Sequence, residues 1–280
     1  MREVPAKEIT ETVKDLCIEA NTNLAEDVVA ALNKSLAKEK SSVGRKILRQ
    51  IIQNAQIARR DKLPLCQDTG LAVVFIELGQ EVQIIGEALE SAVHEGVRQG
   101  YEAGFLRKSV TEDPILRKNT GDNTPAILHV EIVPGAKIKI GFLAKGGGAE
   151  NCSALRIFNP STDREEIDNF ILETVEAAGP NACPPIIVGV GIGGNFDTAA
   201  YLAKKALCRK VGAHNSGHAA QQWEKELLKK INLLGIGPMG LGGTTTALAV
   251  NIEKRPCHIS SLPAAVNIDC HAHRFKETII

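Results

Sequence analysis

Aromatic side chains are scarce in this 280-residue chain, where one Trp, two Tyr and seven Phe amount to 4%. Its core must therefore be built mainly from Ile, Leu, Val and Ala. An excess of one charge sign is also missing, because 33 Lys and Arg balance 33 Asp and Glu. A nucleic-acid surface wants a basic surplus, so no nucleic-acid partner is expected. No apolar run reaches the roughly 18 residues of a membrane-spanning helix, and no membrane partner is expected. The first 16 residues hold no apolar segment of signal-peptide type; a cytoplasmic location is expected. Among seven cysteines there is no C-x-x-C pair, which removes zinc-ribbon and thioredoxin-like motifs. Their odd number in a cytoplasmic chain gives no disulfide framework. What is present is a globular composition, 44% hydrophobic and 24% charged, with 25 glycines that fall in clusters.

Hydrophobic periodicity divides the chain coarsely. Residues 1–60 read as a helical section. Ile9, Val13, Leu16 and Cys17 share one helix face. Asn23 is expected to cap a second helix, and Ser41 or Ser42 a third that turns Val43, Ile47, Ile51, Ile52 and Ala55 inward. Leu71–Leu78 is β-branched and bounded by glycines, and reads as a strand. Residues 84–104 return to helix. The breaker-rich stretch 108–125 is irregular. Ile127–Val133 and Ile138–Phe142, joined by Pro134-Gly135, are expected to form a hairpin. Helices are expected over 164–178, 197–211 and 216–234, and strands over 186–190 and 245–252. The alternation makes the class α/β, or mixed α+β, read as one domain over 1–280.

Several motifs stand out, and each has a bland reading beside a functional one. Gly189-Val-Gly-Ile-Gly-Gly194 fits G-x-G-x-x-G, which opens a nucleotide-binding or redox module as one alternative. The acidic residue such a module needs about 20 positions on is missing; a tight strand-to-helix turn, or close approach of the backbone to a bound group, are the other readings. Lys145-Gly-Gly-Gly148 exposes N–H groups suited to an anion, or is a flexible turn. Cys66-Gln-Asp-Thr-Gly70 packs a thiol, an amide, a carboxylate and a hydroxyl at the entrance to a strand, where sites often lie, yet Asp-Thr-Gly also makes a turn. Asn181-Ala-Cys-Pro-Pro185 sets a cysteine before prolines, as beside iron–sulfur ligands. Cys270-His-Ala-His-Arg274 can bind metal, or can be surface.

Taken in order, Cys66–Gly70, Asn119–Pro125, Lys145–Gly148, Ala182–Pro185 with Gly193-Gly194, and the Cys270 segment resemble the class I iron–sulfur hydro-lyases. That is the fumarate hydratase and L-tartrate dehydratase family, in the form of the alpha subunit of its two-subunit members, and the resemblance covers nearly the whole chain. It implies a [4Fe–4S] cluster with one iron not bound by protein. The matching ligands are Cys66, Cys183 and Cys270, separated by 117 and 87 residues. Cys17 and Cys208 then remain packing residues, and Cys152 and Cys257 non-ligands. The resemblance also implies roles for other residues. Gln67 and Asp68 would contact the substrate, with Asp68 relaying a proton. Arg107 would hold a substrate carboxylate, Gly147 would offer its backbone, and His258 would act as a catalytic acid or proton carrier. The implied reaction is hydration of fumarate to L-malate, with L-tartrate dehydration as the alternative. The implied partners are a four-carbon dicarboxylate substrate and a beta subunit that completes the active site in a hetero-oligomer.

Overall fold

The computed structural model describes residues 1–213 and 215–280. The chain folds into two compact units: Met1–Ala25, Ala55–Gly147 and Arg274–Ile280 form the first, and Glu26–Asn54 and Gly148–His273 the second. In chain order the N-terminal elements are β1 (Arg2–Pro5), α1 (Ala6–Thr22), α2 (Glu26–Lys38) and α3 (Ser42–Asp61). The three expected helices are all present. Asn23 closes α1 rather than opening α2, its N–H donating to Glu19 O. Ser41 does cap α3, its hydroxyl accepting from Gly44 N at 3.1 Å. Val43 lies exposed, whereas Leu48 takes the buried position.

The first unit continues with β2 (Leu71–Gly79), β3 (Val82–Ile85), α4 (Leu89–Ala103), β4 (Ile127–Val133) and β5 (Ile138–Lys145). Residues 84–104 are thus not all helix. Val82–Ile85 forms a small parallel pair with β1, and the helix starts later. The expected hairpin of β4 with β5 does not form. Both strands instead flank β2, β4 parallel and β5 antiparallel to it. The reason is in β2 itself: Ala72, Val73, Val74 and Ile76 are all buried, and a strand buried on this scale takes the middle of a sheet. The C-terminal strand β10 (Phe275–Ile279) adds to β5, giving the order β10-β5-β2-β4. One face of this sheet packs on α1 and α4 through Ile76, Ile138, Ile140, Phe142, Val13 and Val97.

The second unit holds the one-turn helix α5 (Gly147–Glu150, whose first residue closes the first unit), β6 (Ala154–Phe158), α6 (Arg164–Ala178), β7 (Ile186–Gly194), α7 (Phe196–Leu207), α8 (His218–Leu233), β8 (Ala247–Cys257) and β9 (Leu262–Asp269). Its sheet runs β6-β9-β7-β8. On one face Val188, Val190, Ile252 and Ile268 pack with Ile171 and Val175 of α6 and Leu227 and Ile231 of α8. On the other face lies α7. The glycine run does not end β7, as the sequence suggested, but forms its second half. A Cβ on Gly189 would sit 2.1 Å from Ala203 O, and one on Gly191 2.1 Å from Ala199 O. The bare backbone lets α7 lie directly on the strand, which accounts for G-x-G-x-x-G as packing.

Candidate active site

The loop Cys66–Gly70 leaves α3 and enters β2 in the first unit, and it is clamped from several sides. Gly70 takes a positive φ of 73°, and a Cβ there would lie 2.5 Å from Lys145 O. Only glycine fits. The carboxylate of Asp68 accepts from Gly70 N at 3.0 Å and from Gly147 N at 2.8 Å. The anion expected at the Lys145–Gly148 turn is therefore the protein's own Asp68, and the Gly147 N–H is spent on orienting it. Behind the loop, Tyr101 is fully buried, and its hydroxyl donates to the carbonyls of Thr69 (2.9 Å) and Gly70 (3.1 Å). Burial pushes the Tyr101 phenol up, so it stays a donor at any physiological pH. Asn123 is buried too. Its amide nitrogen donates to Gly70 O at 3.3 Å and its oxygen accepts from Ser109 N at 2.6 Å.

Other expected residues lie around this loop. Cys66 is partly exposed and its thiol faces the Gln67 side-chain oxygen at 3.4 Å. Arg107 is exposed, and its carbonyl accepts from Thr69 Oγ1 at 2.9 Å, so the arginine segment is tied to the loop by its backbone while its guanidinium stays in solvent. Arg274 had no role in the sequence reading, yet it is among the largest fully buried side chains. Its Nη1 donates to Asp68 O, and its buried Nε has no hydrogen-bond partner among the described residues. A Cβ on Gly146 would stand 3.1 Å from Arg274 Nη2 and 3.5 Å from Asp68 Oδ2. Gly146 thus makes room for a buried guanidinium beside a carboxylate. No local signal in the sequence marked Arg274, because its role depends on burial beside a loop 206 residues away.

In the second unit the Cys183 and Cys270 segments meet. Cys183 sits in the left-handed region with φ 52° at the end of a short 3₁₀ turn (Gly179–Ala182). Its N–H donates to Pro180 O at 3.0 Å. Its carbonyl takes the backbone N–H of His271 at 3.4 Å, and His271 Nδ1 lies 2.8 Å away. Cys183 is therefore held by the residue that follows Cys270. Next along, Pro184 O accepts from Met239 N at 2.8 Å, which ties the glycine-rich loop over residues 235–243 to the Cys183 segment. That loop is anchored in turn by the buried Glu39, whose carboxylate accepts from Thr244 N and Thr245 N. Burial opposes the charge on Glu39, but the N–H groups of Ser41 and Thr244 outweigh it and hold the acid below its ordinary range. Beside Cys270, His273 and Asp269 are buried and paired at 2.6 Å.

His258 is not brought to this pair. It lies exposed on the turn between β8 and β9, with Nδ1 accepting from Ser260 N at 3.1 Å. Gly194 is in register with Cys257 at one end of β7, and Ile187 with Asp269 at the other. At roughly 3.3 Å per residue that separation exceeds about 20 Å. Within one chain, His258 cannot exchange a proton directly with a ligand held at Cys183 and Cys270.

Cys17 is fully buried on α1, and burial pushes its thiol well up, as a packing cysteine should be. Cys66, Cys183 and Cys270 differ, being partly exposed and set at loop positions where strands begin or end.

An oriented carboxylate, a thiol and a buried arginine thus gather around one rigid turn on a mixed α/β scaffold. The chain belongs to the fumarate hydratase (Fumerase) family, whose family model matches residues 10–279. It is 44% identical over 274 residues to the putative L(+)-tartrate dehydratase subunit alpha of Methanocaldococcus jannaschii, a match covering 95% of each chain. It is 33% identical over 269 residues to the L(+)-tartrate dehydratase subunit alpha of Escherichia coli K12 and of Shigella sonnei, covering 95% of this chain and 88% of theirs. It is accordingly a hydro-lyase chain of the alpha-subunit type.

Proposed function

We propose that this chain is the alpha subunit of a cytoplasmic [4Fe–4S] hydro-lyase that interconverts fumarate and L-malate. Cys66, Cys183 and Cys270 are its cluster ligands, and one iron has no protein ligand. The donor set fits such a group: three partly exposed thiols on backbone-anchored loops, soft ligands of the kind iron–sulfur clusters take. When bound, the cluster supplies a Lewis-acidic metal with an open position, able to polarise a hydroxyl that leaves as water.

The remaining chemistry falls to the chain's own side chains. Asp68 carries the proton removed from, or returned to, the carbon next to a substrate carboxylate. Its two oxygens are aimed by Gly70 and Gly147, so no reorientation is needed when the proton moves. Arg107, exposed beside this loop, grips a substrate carboxylate with two parallel bonds. Gln67 supplies an amide next to the thiol. His258 has no part in these steps within its own chain. The observation that carries the reading is the Asp68 carboxylate locked between two backbone N–H groups, two residues from Cys66.

A beta subunit completes the enzyme in this reading, as the alpha-subunit names of the relatives suggest. Those same names favour a second substrate, L-tartrate, which differs from malate by one hydroxyl. The test is anaerobic reconstitution of the chain with and without its beta subunit, assayed on fumarate, L-malate and L-tartrate. Expected is little turnover alone, hydration of fumarate by the pair, and a loss of roughly 10²-fold or more for Asp68→Asn. Preference for tartrate would select the second reading. Full activity of the isolated chain would refute the division of the site between subunits.

A further inference from the structure

Arg274 is a buried cation with little to satisfy it. A guanidinium carries five N–H donors and a permanent charge, and folds usually bury one only where a carboxylate or several acceptors meet it. Arg274 is 1% exposed. Among the described residues its guanidinium makes one hydrogen bond, from Nη1 to the neutral carbonyl of Asp68, and its Nε is buried without a partner. An orphaned donor in a folded protein calls for an explanation, and a role in the chemistry is one of the few available. The main chain of Arg274 is itself fixed. Its carbonyl accepts from Ala144 N at 3.1 Å, just before β10 begins. The side chain therefore reaches towards Asp68 from a rigid sheet.

What the guanidinium meets is the Asp68 turn. Nη1 on Asp68 O fixes the peptide that Asp68 shares with Thr69. The next carbonyl, of Thr69, takes the Tyr101 hydroxyl at 2.9 Å, and the Thr69 hydroxyl donates to Arg107 O at 2.9 Å. The main chain that carries the carboxylate is thus held from three sides, and its two oxygens come to rest on Gly70 N and Gly147 N. Gly146 completes the arrangement. A Cβ there would stand 3.1 Å from Arg274 Nη2 and 3.5 Å from Asp68 Oδ2, and among the described residues it would meet nothing else within 4 Å beyond its chain neighbours. Guanidinium and carboxylate therefore line the same small gap. All of these residues belong to the first unit.

We infer that Arg274 is the positioning residue for Asp68, pinning the Asp68 carbonyl so that the carboxylate stays on the Gly147 N–H and keeps one aim through the reaction. It acts through Asp68 and touches no substrate. The inference rests on the reading of Asp68 as the proton carrier. Arg107, exposed beside the loop, is the arginine able to grip a carboxylate with parallel bonds. Arg274 has its Nε closed off from solvent and its Nη1 on the main chain, which suits holding a turn rather than a ligand.

A double-mutant cycle on the reconstituted alpha–beta pair reads it. Arg274→Met removes every donor and should lower kcat roughly 10- to 10²-fold with KM held within about twofold. Arg274→Lys keeps a cation and a donor and should recover a large part of that loss. Added to Asp68→Asn, Arg274→Met should cost less than about twofold more, because the two residues act as a unit. Gly146→Ala sets a methyl against Nη2 and Oδ2 alone; it should lower kcat several-fold at constant KM, and it replaces Arg274→Met in the cycle should that variant fail to fold by circular dichroism. Amide exchange on the full chain needs no turnover, so it judges Arg274 even where Asp68 proves not to carry the proton. The Gly147 N–H should exchange several-fold faster in Arg274→Met, or in Gly146→Ala, while the buried amides of β2 keep their wild-type rates. A raised KM with kcat preserved, losses that multiply in the double variant, Gly146→Ala at the wild-type kcat, or unchanged exchange at Gly147 would each overturn the inference.

Discussion

At the scale of single residues, the site depends on groups that never touch substrate. Asn123 fastens both Gly70 and Ser109, and its neighbour Asp122 secures that turn. The Asp122 carboxylate accepts from Thr124 Oγ1 at 2.7 Å, Thr124 N at 3.0 Å and Arg98 Nε at 3.0 Å. Burial works to raise its pKa, but these bonds and the Arg98 charge outweigh it and hold the acid at about 2. The sign of the linkage follows. A carboxylate depressed in the folded state contributes stability above its ordinary value, and that contribution drains away as pH falls through the folded value. The urea midpoint of the wild type should therefore exceed that of Asp122→Asn by a constant margin from pH 5 to 7. The gap should shrink between about pH 4 and 2. A gap that ignores pH would show that Asp122 acts through shape alone. Much of the loop was legible from residue types: a thiol, an amide and an acid in adjacent positions before a strand. Arg274 and Tyr101 were not, because their work depends on being buried beside a loop far away in sequence.

Elements show the same division between local and distant causes. Helices α1, α3, α6 and α8 were readable because the period of apolar residues and the caps are local properties. Strand partners were not. Pro134-Gly135 is a sound turn, yet the strands it joins sit on either side of β2, since the most buried strand takes the centre. The short strands β6 and β10, near the Cys152 segment and the C-terminus, carried too little alternation to be seen. The glycine run of β7 was read as punctuation or as a nucleotide loop, when it is the contact surface for α7. Gly191→Ala tests that role. Its Cβ would lie 2.1 Å from Ala199 O and 2.5 Å from Ala203 N, both backbone atoms that cannot swing aside. The expected loss is about 2–3 kcal/mol in urea unfolding, at the upper end for overpacking. A loss under about 0.5 kcal/mol would mean that α7 does not bear on the strand.

Across the whole molecule, three cysteines 117 and 87 residues apart in sequence carry the functional account. Within the second unit, the hydrogen bonds of His271 to Cys183 show how a fold can join positions that no local motif joins. The register of β7 separates His258 from that pair in the same way. Family likeness alone could not reveal this, because it matches positions and not distances. The two-unit division explains why composition gave no sign of a boundary. Each unit is assembled from separated segments, so no linker of distinct character is needed.

Iron and sulfide content of the anaerobically reconstituted chain, measured across single cysteine-to-serine variants, tests the central claim most directly. The account expects about four irons per wild-type chain, an unchanged content in Cys152→Ser and Cys257→Ser, and loss of the cluster in Cys66→Ser, Cys183→Ser and Cys270→Ser alike. Full iron in any of those last three, or loss of iron in Cys152→Ser, would contradict it.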